Sequence, residues 1–415
     1  MPTSPTRTLG ATVRRSGLPE DVWAMSGVAL CVALGFGVVA PAIPLFATQF
    51  GVDATAAGAV VSAFALLRLL SGPVAGRLVD RVGERVGLML GLVVVAVSSL
   101  LAGLSQTYPQ LLVLRGVGGV GSAVFGVAAV SLVLKVATAS NRGQAMSVYR
   151  SGFLVGGIVG PAVGGAALGI SLRAPFFLYA GTLVLAAVVA MVYVGRSERA
   201  RAVLAEDPVP EPAATDQQAD EDGPGLRALL ATREYQAALV TNLAVGLAVF
   251  GVRSAVVPLF LVHGLHTSTF WVAIAFLVST LVQTALMLPA GRWSDSAGRR
   301  PALLAGALGS AVGMALLAIS GSLLVAMLAM AVFGAGSAFL GSVPAALVGD
   351  VAGRRSGTVV AVFNMASDLG AVVGPVLAGW LVDHGSFATA FWLGAGVIAL
   401  AGVLGLRLPG RSVVS

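Results

Sequence analysis

GRLVDRVGERV, residues Gly76 to Val86, returns as GRWSDSAGRRP, residues Gly291 to Pro301. The two copies share Gly, Arg, Asp, Gly and Arg in register at an offset of 215 residues. They are polar islands in a chain whose mean hydropathy is +0.94. Of its 415 residues 10% are charged and 57% hydrophobic, whereas a soluble domain carries about 25% charged residues. Apolar runs of about 20 residues recur, each long enough to cross a hydrocarbon core of roughly 30 Å.

Working outward from the repeat, the runs fall at 23–47, 56–76, 86–105, 109–134, 145–168 and 174–195, then at 236–261, 270–291, 302–319, 322–348, 357–382 and 387–406. They are too long for barrel strands, and a backbone in lipid must satisfy its own hydrogen bonds, so helices are expected. The first run exceeds a signal-peptide core and no small-residue cleavage site follows, so an uncleaved first span is expected. The cationic loop residues sort by side. Twenty of them, from Arg7 to Arg411, fall on the face that holds both repeats, and Arg173 alone on the other. That asymmetry places both termini in the cytoplasm. It also accounts for the net charge of +7 without a nucleic-acid partner.

Residues 1–22 and 407–415 then read as cytoplasmic tails, 23–195 and 236–406 as two six-helix halves, and 196–235 as a linker. Within it, Glu206 to Gly225 has seven carboxylates, four prolines and no basic residue, a composition that cannot bury a core. The halves are related beyond the loop. Gly121-Ser122-Ala123 matches Gly336-Ser337-Ala338 at 215, and Gly160-Pro161 matches Gly374-Pro375 at 214. The expected fold is an all-α membrane protein, twelve transmembrane helices in two pseudo-symmetric bundles. That is the architecture of transporters with a midplane site reached alternately from either side.

Each copy of the repeat is placed in the short turn after a second span, with Asp80 and Asp295 expected at the start of the next helix, facing the positive end of its dipole. Here the chain resembles the major facilitator superfamily, whose signature Gly76, Leu78, Asp80, Arg81, Gly83 and Arg85 match; Glu84 replaces a basic residue. The second copy keeps Gly291, Asp295, Gly298, Arg299 and Arg300, with Ser296 replacing the basic residue after the Asp. The resemblance implies a cytoplasmic latch that holds the bundles together when the cavity faces outward.

In span 5, Gly152, Gly156, Gly160 and Gly164 recur every four residues. Such a ridge allows close helix approach, and Pro161 permits a bend. With Gly165 it resembles the antiporter signature of drug exporters. LGFGVVAPAIP in span 1 and LRGVGGVGSAVFG in span 4, with Arg115, are similar to further signatures of twelve-span drug:proton antiporters.

Charge at membrane depth is a functional hypothesis by default. Arg68, Arg115, Arg150 and Arg253 fall within spans, and of the acids Asp368 lies well inside one. Arg68 and Asp368 lie roughly 18 and 16 Å deep at 1.5 Å per residue, from opposite faces. In the family, spans 2 and 11 face each other, so the two are expected to pair in one state and part in another, with Arg115 as the second candidate partner. Asp368 is then the proton carrier; a static ion pair is the other reading. Arg150, near the end of span 5, snorkels or faces the cavity. Asn242, Gln283 and Asn364 line the cavity or bond neighbouring helices; Phe36, Phe125, Phe250 and Phe339 wall the cavity or face lipid.

No catalytic constellation, cofactor loop or metal cluster is legible. GVGGVG lacks a strand before it, no Walker sequence is present, His263, His266 and His384 lie in or beside loops, and Cys31 is a packing residue. The resulting expectation is a monomeric secondary transporter in a bacterial cytoplasmic membrane, surrounded by lipid, with a small-molecule substrate and protons as partners and no nucleic acid or cofactor. Proton-coupled efflux of a small organic compound leads; a permease for a small anion and a non-transporting sensor or scaffold are the alternatives.

Overall fold

The computed structural model describes residues 18–138, 141–204, 230, 232–352 and 356–406; side chains of 194–204, 351–352, 356–358 and 361 are excluded. Residues 1–17 of the N-terminal tail, the C-terminal tail and most of the acidic linker, as well as Arg354 and Arg355, lie outside this set, and the first helix takes in the end of the stretch expected to be N-terminal tail. Among the described residues twelve helices are long and apolar enough to cross a membrane, and no strand occurs. Their number is even, so the first of these helices begins and the last ends on one face, here called the terminal face.

Span 1 runs from Glu20 to Thr48 with a break at Ala40–Pro41. Spans 2 to 6 are Ala54–Val82, Glu84–Leu104, Tyr108–Val136, Arg142–Ile170 and Ala174–Leu204. Span 7 is Arg233–Gly264, with π-helical turns over Gly246–Val256 and Phe260–Gly264. Spans 8 to 12 are Thr269–Ala297, Arg299–Ala318, Leu323–Ala352, Ser356–His384 and Phe387–Gly405. Most helices outrun the expected apolar boundaries because polar residues continue a helix past the hydrocarbon edge. The sixth continues into the stretch expected to be linker.

Large apolar side chains point outward from these helices, as Leu308, Leu400 and Val184 do at 68%, 58% and 55% exposure. In water such a surface would aggregate; in lipid it is the solvated face. Inside each bundle the backbones approach closely. A Cβ on Gly152, Gly156, Gly160 or Gly164 would lie within 3 Å of the carbonyl oxygen of Ser26, Leu30, Leu34 or Val38 respectively. The four-residue ridge of span 5 therefore seats, turn by turn, on span 1. Gly165 does not belong to that seam; its Cβ would meet Ala273 of span 8. The second bundle repeats the device, with Gly370 and Gly374 of span 11 against the carbonyls of Leu243 and Leu247 in span 7.

The repeated stretch proves to be mostly helix. Spans 2 and 8 continue to Val82 and Ala297, and the turn is a single glycine, Gly83 at φ 84° and Gly298 at φ 103°. A side chain is strained in that left-handed region and glycine is not. This corrects the expectation that Asp80 and Asp295 open the following helix. Both sit in the last turn of their own helix, at the negative end of its dipole, so dipole stabilisation is not what holds them there.

Candidate functional site

The bundles meet along spans 2 and 11 and along spans 5 and 8. Which end of that seam is closed follows from pairs of residues 18 apart, which return to one helix face after five turns. On span 2, a Cβ at Gly58 would strike the Pro375 carbonyl, yet Gly76 has nothing within 4 Å. On span 8, Ala273 touches Gly165, yet Gly291 has nothing within 4 Å. The seam is shut on the face away from the termini and open toward the terminal face. The first glycine of each repeat lies on the face that has come apart.

Midway along the seam is the expected ion pair. Arg68 is the central residue of span 2, and its Nη2 donates to Asp368 Oδ1 of span 11 at 2.6 Å. The side chains are 44% and 23% exposed, so the pair stands at the apex of the opening and not in a sealed core. Arg115, the second candidate partner, makes no ion pair with Asp368 in this conformation. It is 3% exposed, and its guanidinium lies over the Phe64 ring at 4.6 Å. Arg253 is 9% exposed and lies over Phe276 at 4.9 Å and Phe333 at 5.9 Å, with a long bond of 3.4 Å to Thr280 Oγ1. Nε of each buried arginine lacks a hydrogen-bond partner.

The remaining candidates divide. Asn364 is exposed and Gln283 half-buried. Asn242 donates to the Phe363 carbonyl at 2.6 Å, so it ties span 7 to span 11. Phe125 is in the core of its bundle, which removes it from the cavity walls, while Phe36, Phe250 and Phe339 are half-buried. Arg150 is exposed. His263, His266 and His384 are exposed, and no group of His, Cys, Asp and Glu among the described residues could hold a metal ion.

On the terminal face Asp80 and Arg81 are exposed, and Asp80 takes no part in the ion pairs between described residues. Asp295 pairs with Arg299, whose Nε also donates to Asp350 at 3.0 Å. In the first bundle Lys135 Nζ lies 3.1 Å from Glu84. Glu84 and Lys135 correspond, at the repeat offset of 215, to Arg299 and Asp350. The same bridge is built twice with its polarity reversed, which accounts for the acid at Glu84 where the family signature has a base.

On the closed face stands a contact that the sequence reading missed. Asp383, at the end of span 11, accepts hydrogen bonds from Ala54 N at 2.9 Å, Thr55 N at 2.8 Å and Thr55 Oγ1. Asp53 caps Ala56 N from within the same bundle at 2.8 Å. The first amides of span 2 are thus satisfied partly by the other bundle.

A profile of the Major Facilitator Superfamily matches residues 25–279 and 238–413. The chain is 29% identical over 166 residues to multidrug resistance protein 1 of Bacillus subtilis, 40% of this chain and 43% of that protein. It is 27% identical over 168 residues to the quinolone resistance protein NorA of Staphylococcus aureus, 39% of this chain and 42% of that one. The chain therefore spans about two fifths of the length of these curated relatives. The crystal structure of the nucleoside transporter NupG superposes with a TM-score of 0.70 at 14% identity, covering 93% of this chain and 98% of that one; at such identity the likeness is one of fold. With the profile reaching from span 1 to the end of span 12 over two facing bundles, the chain belongs to the Major Facilitator Superfamily.

Proposed function

We propose that the chain is a proton-coupled antiporter that exports a small organic compound across a bacterial cytoplasmic membrane, acting as a monomer with both termini inside. The observation that carries the reading is the Arg68–Asp368 pair, which joins the two bundles midway along the seam. The twenty-to-one split of cationic loop residues supports the orientation, and the matched stretches of the multidrug and quinolone resistance proteins support export of organic compounds. Residues 23–195 and 236–406 move against each other as two bodies, with 196–235 as the tether.

In this conformation the cleft opens toward the cytoplasm and Arg68 donates to the side chain of Asp368. Pulling the bundles apart at that level separates opposite charges near the middle of the membrane, which costs much less once the carboxylate is neutral. Parting of the pair is therefore coupled to proton uptake from the far side, and re-pairing to proton release into the cytoplasm. One proton descending ~100 mV supplies about 2.3 kcal/mol, sufficient for roughly a 50-fold substrate gradient.

Inverted vesicles test the scheme. Asp368→Asn is expected to abolish uptake driven by an imposed proton gradient while substrate–substrate exchange persists; undiminished proton-driven uptake refutes it. A second reading, a permease for a small anionic solute, is favoured by the two buried arginines that have no carboxylate partner among the described residues. Net inward flux in right-side-out vesicles would select it, and flux in neither direction would select the sensor or scaffold.

A further inference from the structure

The spans of this chain carry more cations than anions, and the two buried cations have no acid to answer them among the described residues. Asp368 is engaged by Arg68. Arg115 and Arg253 make no ion pair among the described residues. Each is at least nine-tenths buried, at 3% and 9% exposure. A guanidinium presents five N–H donors in a rigid fork. The aromatic faces beneath these two compensate charge but accept few hydrogen bonds, and both Nε atoms are left without a partner. Removing such a group from water is costly, and a ring face repays it only in part.

Their placement is the second observation. Arg115 lies about 10 Å and Arg253 about 16 Å in from the ends of their helices on the closed face. Both are beyond the Arg68–Asp368 pair, in the half of the molecule that is sealed here and would open when the bundles rock the other way. Each bundle contributes one, and each stacks on a phenylalanine from its own second helix, Phe64 of span 2 and Phe276 of span 8. Arg253 rides on the π-helical stretch Gly246–Val256, a local departure that is frequent at functional sites because it re-aims a side chain. Next to its Thr280 contact, Ser279 is fully buried with a hydroxyl that lacks a partner.

We propose that Arg253 is a specificity-determining residue that binds the anionic group of the transported compound, with Arg115 as its counterpart in the other bundle. The substrate class is then a small organic anion with an aromatic or apolar body, and not a lipophilic cation. This rests on the transport reading above and narrows it. A carboxylate, sulfonate or phosphonate offers oxygens that fit the guanidinium fork in two parallel bonds, while Phe276 and Phe333 supply an apolar wall. A cationic compound would meet two guanidiniums that have no acid partner among the described residues, in a weakly screening interior, with the nearby acid already taken.

The test uses the full-length chain in lipid nanodiscs and two matched probe pairs: 2-naphthoate against 2-naphthyltrimethylammonium, and biphenyl-4-carboxylate against the corresponding trimethylammonium. Calorimetry is expected to show each carboxylate binding at least roughly 10-fold more tightly than its cation. Arg253→Met should weaken the carboxylate roughly 10- to 100-fold, the loss of one charged hydrogen-bonding partner, and leave the cation no weaker. Arg253→Lys, which keeps the charge, should retain the preference, and its behaviour decides the matter if the methionine variant does not reach the membrane. A preference for the cations, no binding of either carboxylate at millimolar concentration, or an unchanged ratio in Arg253→Met overturns the assignment. An intact carboxylate preference in a protein that transports nothing supports this assignment and refutes the transport reading instead.

Discussion

Asp383 offers the most direct test of how the two bundles are held. Its carboxylate belongs to span 11, and the three groups that donate to it, Ala54 N, Thr55 N and Thr55 Oγ1, belong to the start of span 2. The contact bridges the two bundles on the closed face, so on the proposed transport cycle removing it should shift the balance of conformations and leave the fold of each bundle intact. Hydrogen bonds to a charged group contribute about 1.5–3 kcal/mol when well buried, and a carboxylate at a helix N-terminus about 0.3–1 kcal/mol. Asp383 is exposed, so the sum is discounted to about 1–2 kcal/mol, a factor of roughly 5 to 30 in the conformational equilibrium. The assay is a distance measurement between spin labels on cysteines placed at Gln106 and Ser322, in the loops of the two bundles on that face, in a Cys31→Ser background. Asp383→Ala is expected to enlarge the long-distance population by that factor. Asp383→Asn, which keeps an acceptor and loses the charge, should fall between it and the wild type. A distance distribution in Asp383→Ala that matches the wild type refutes the reasoning.

Gly156→Leu drives a side chain into the Leu30 carbonyl and is expected to cost about 1–3 kcal/mol or more in thermal unfolding, with loss of transport, while Leu154→Val at an exposed site is expected to be silent in both. Glu84→Lys opposes Lys135 and should lower stability by about 0.2–1 kcal/mol; the swap Glu84→Lys with Lys135→Glu restores the wild-type melting temperature, and a double variant no better than the single one shows that the bridge is idle. With Cys31 removed, a cysteine at Thr267 is expected to react with an impermeant thiol reagent in intact cells while cysteines at Ser140 and Thr215 stay protected. Labelling at Thr215 from outside inverts the orientation.

Hydropathy, periodicity and repetition made the twelve spans, the two related halves and the span 5 ridge legible in the sequence, because each depends on what a residue does to its own helix and its own solvent. The spacing of Gly152, Gly156, Gly160 and Gly164 needs no partner to be read as a smooth helical face, and the structure supplied its complement in span 1. Arg68 and Asp368 were readable as misplaced charges for the same reason, since charge in an apolar run is anomalous locally. The helix ends were misread where hydropathy and hydrogen bonding part company. An apolar run stops at the hydrocarbon edge, but the helix stops at Gly83 and Gly298, where the backbone turns, and this left Asp80 and Asp295 on the wrong side of the turn.

What only the tertiary structure decided is pairing across distance and the state of the seam. Asp383 and Thr55 are 328 residues apart, and nothing in either neighbourhood marks the other. The reversed bridge of Glu84 with Lys135 was within reach, because the repeat offset maps both onto Arg299 and Asp350, but a repeat shows where residues correspond and not which ones touch. The burial of Arg115 and Arg253 against phenylalanine rings was out of reach, since a sequence registers a charge in a span and not what lies over it. Nor does sequence choose between two packings of the same bundles. That Gly58 is in contact while Gly76, five turns along the same face, stands open is a property of how the two bundles tilt against each other, which the neighbourhood of neither glycine records.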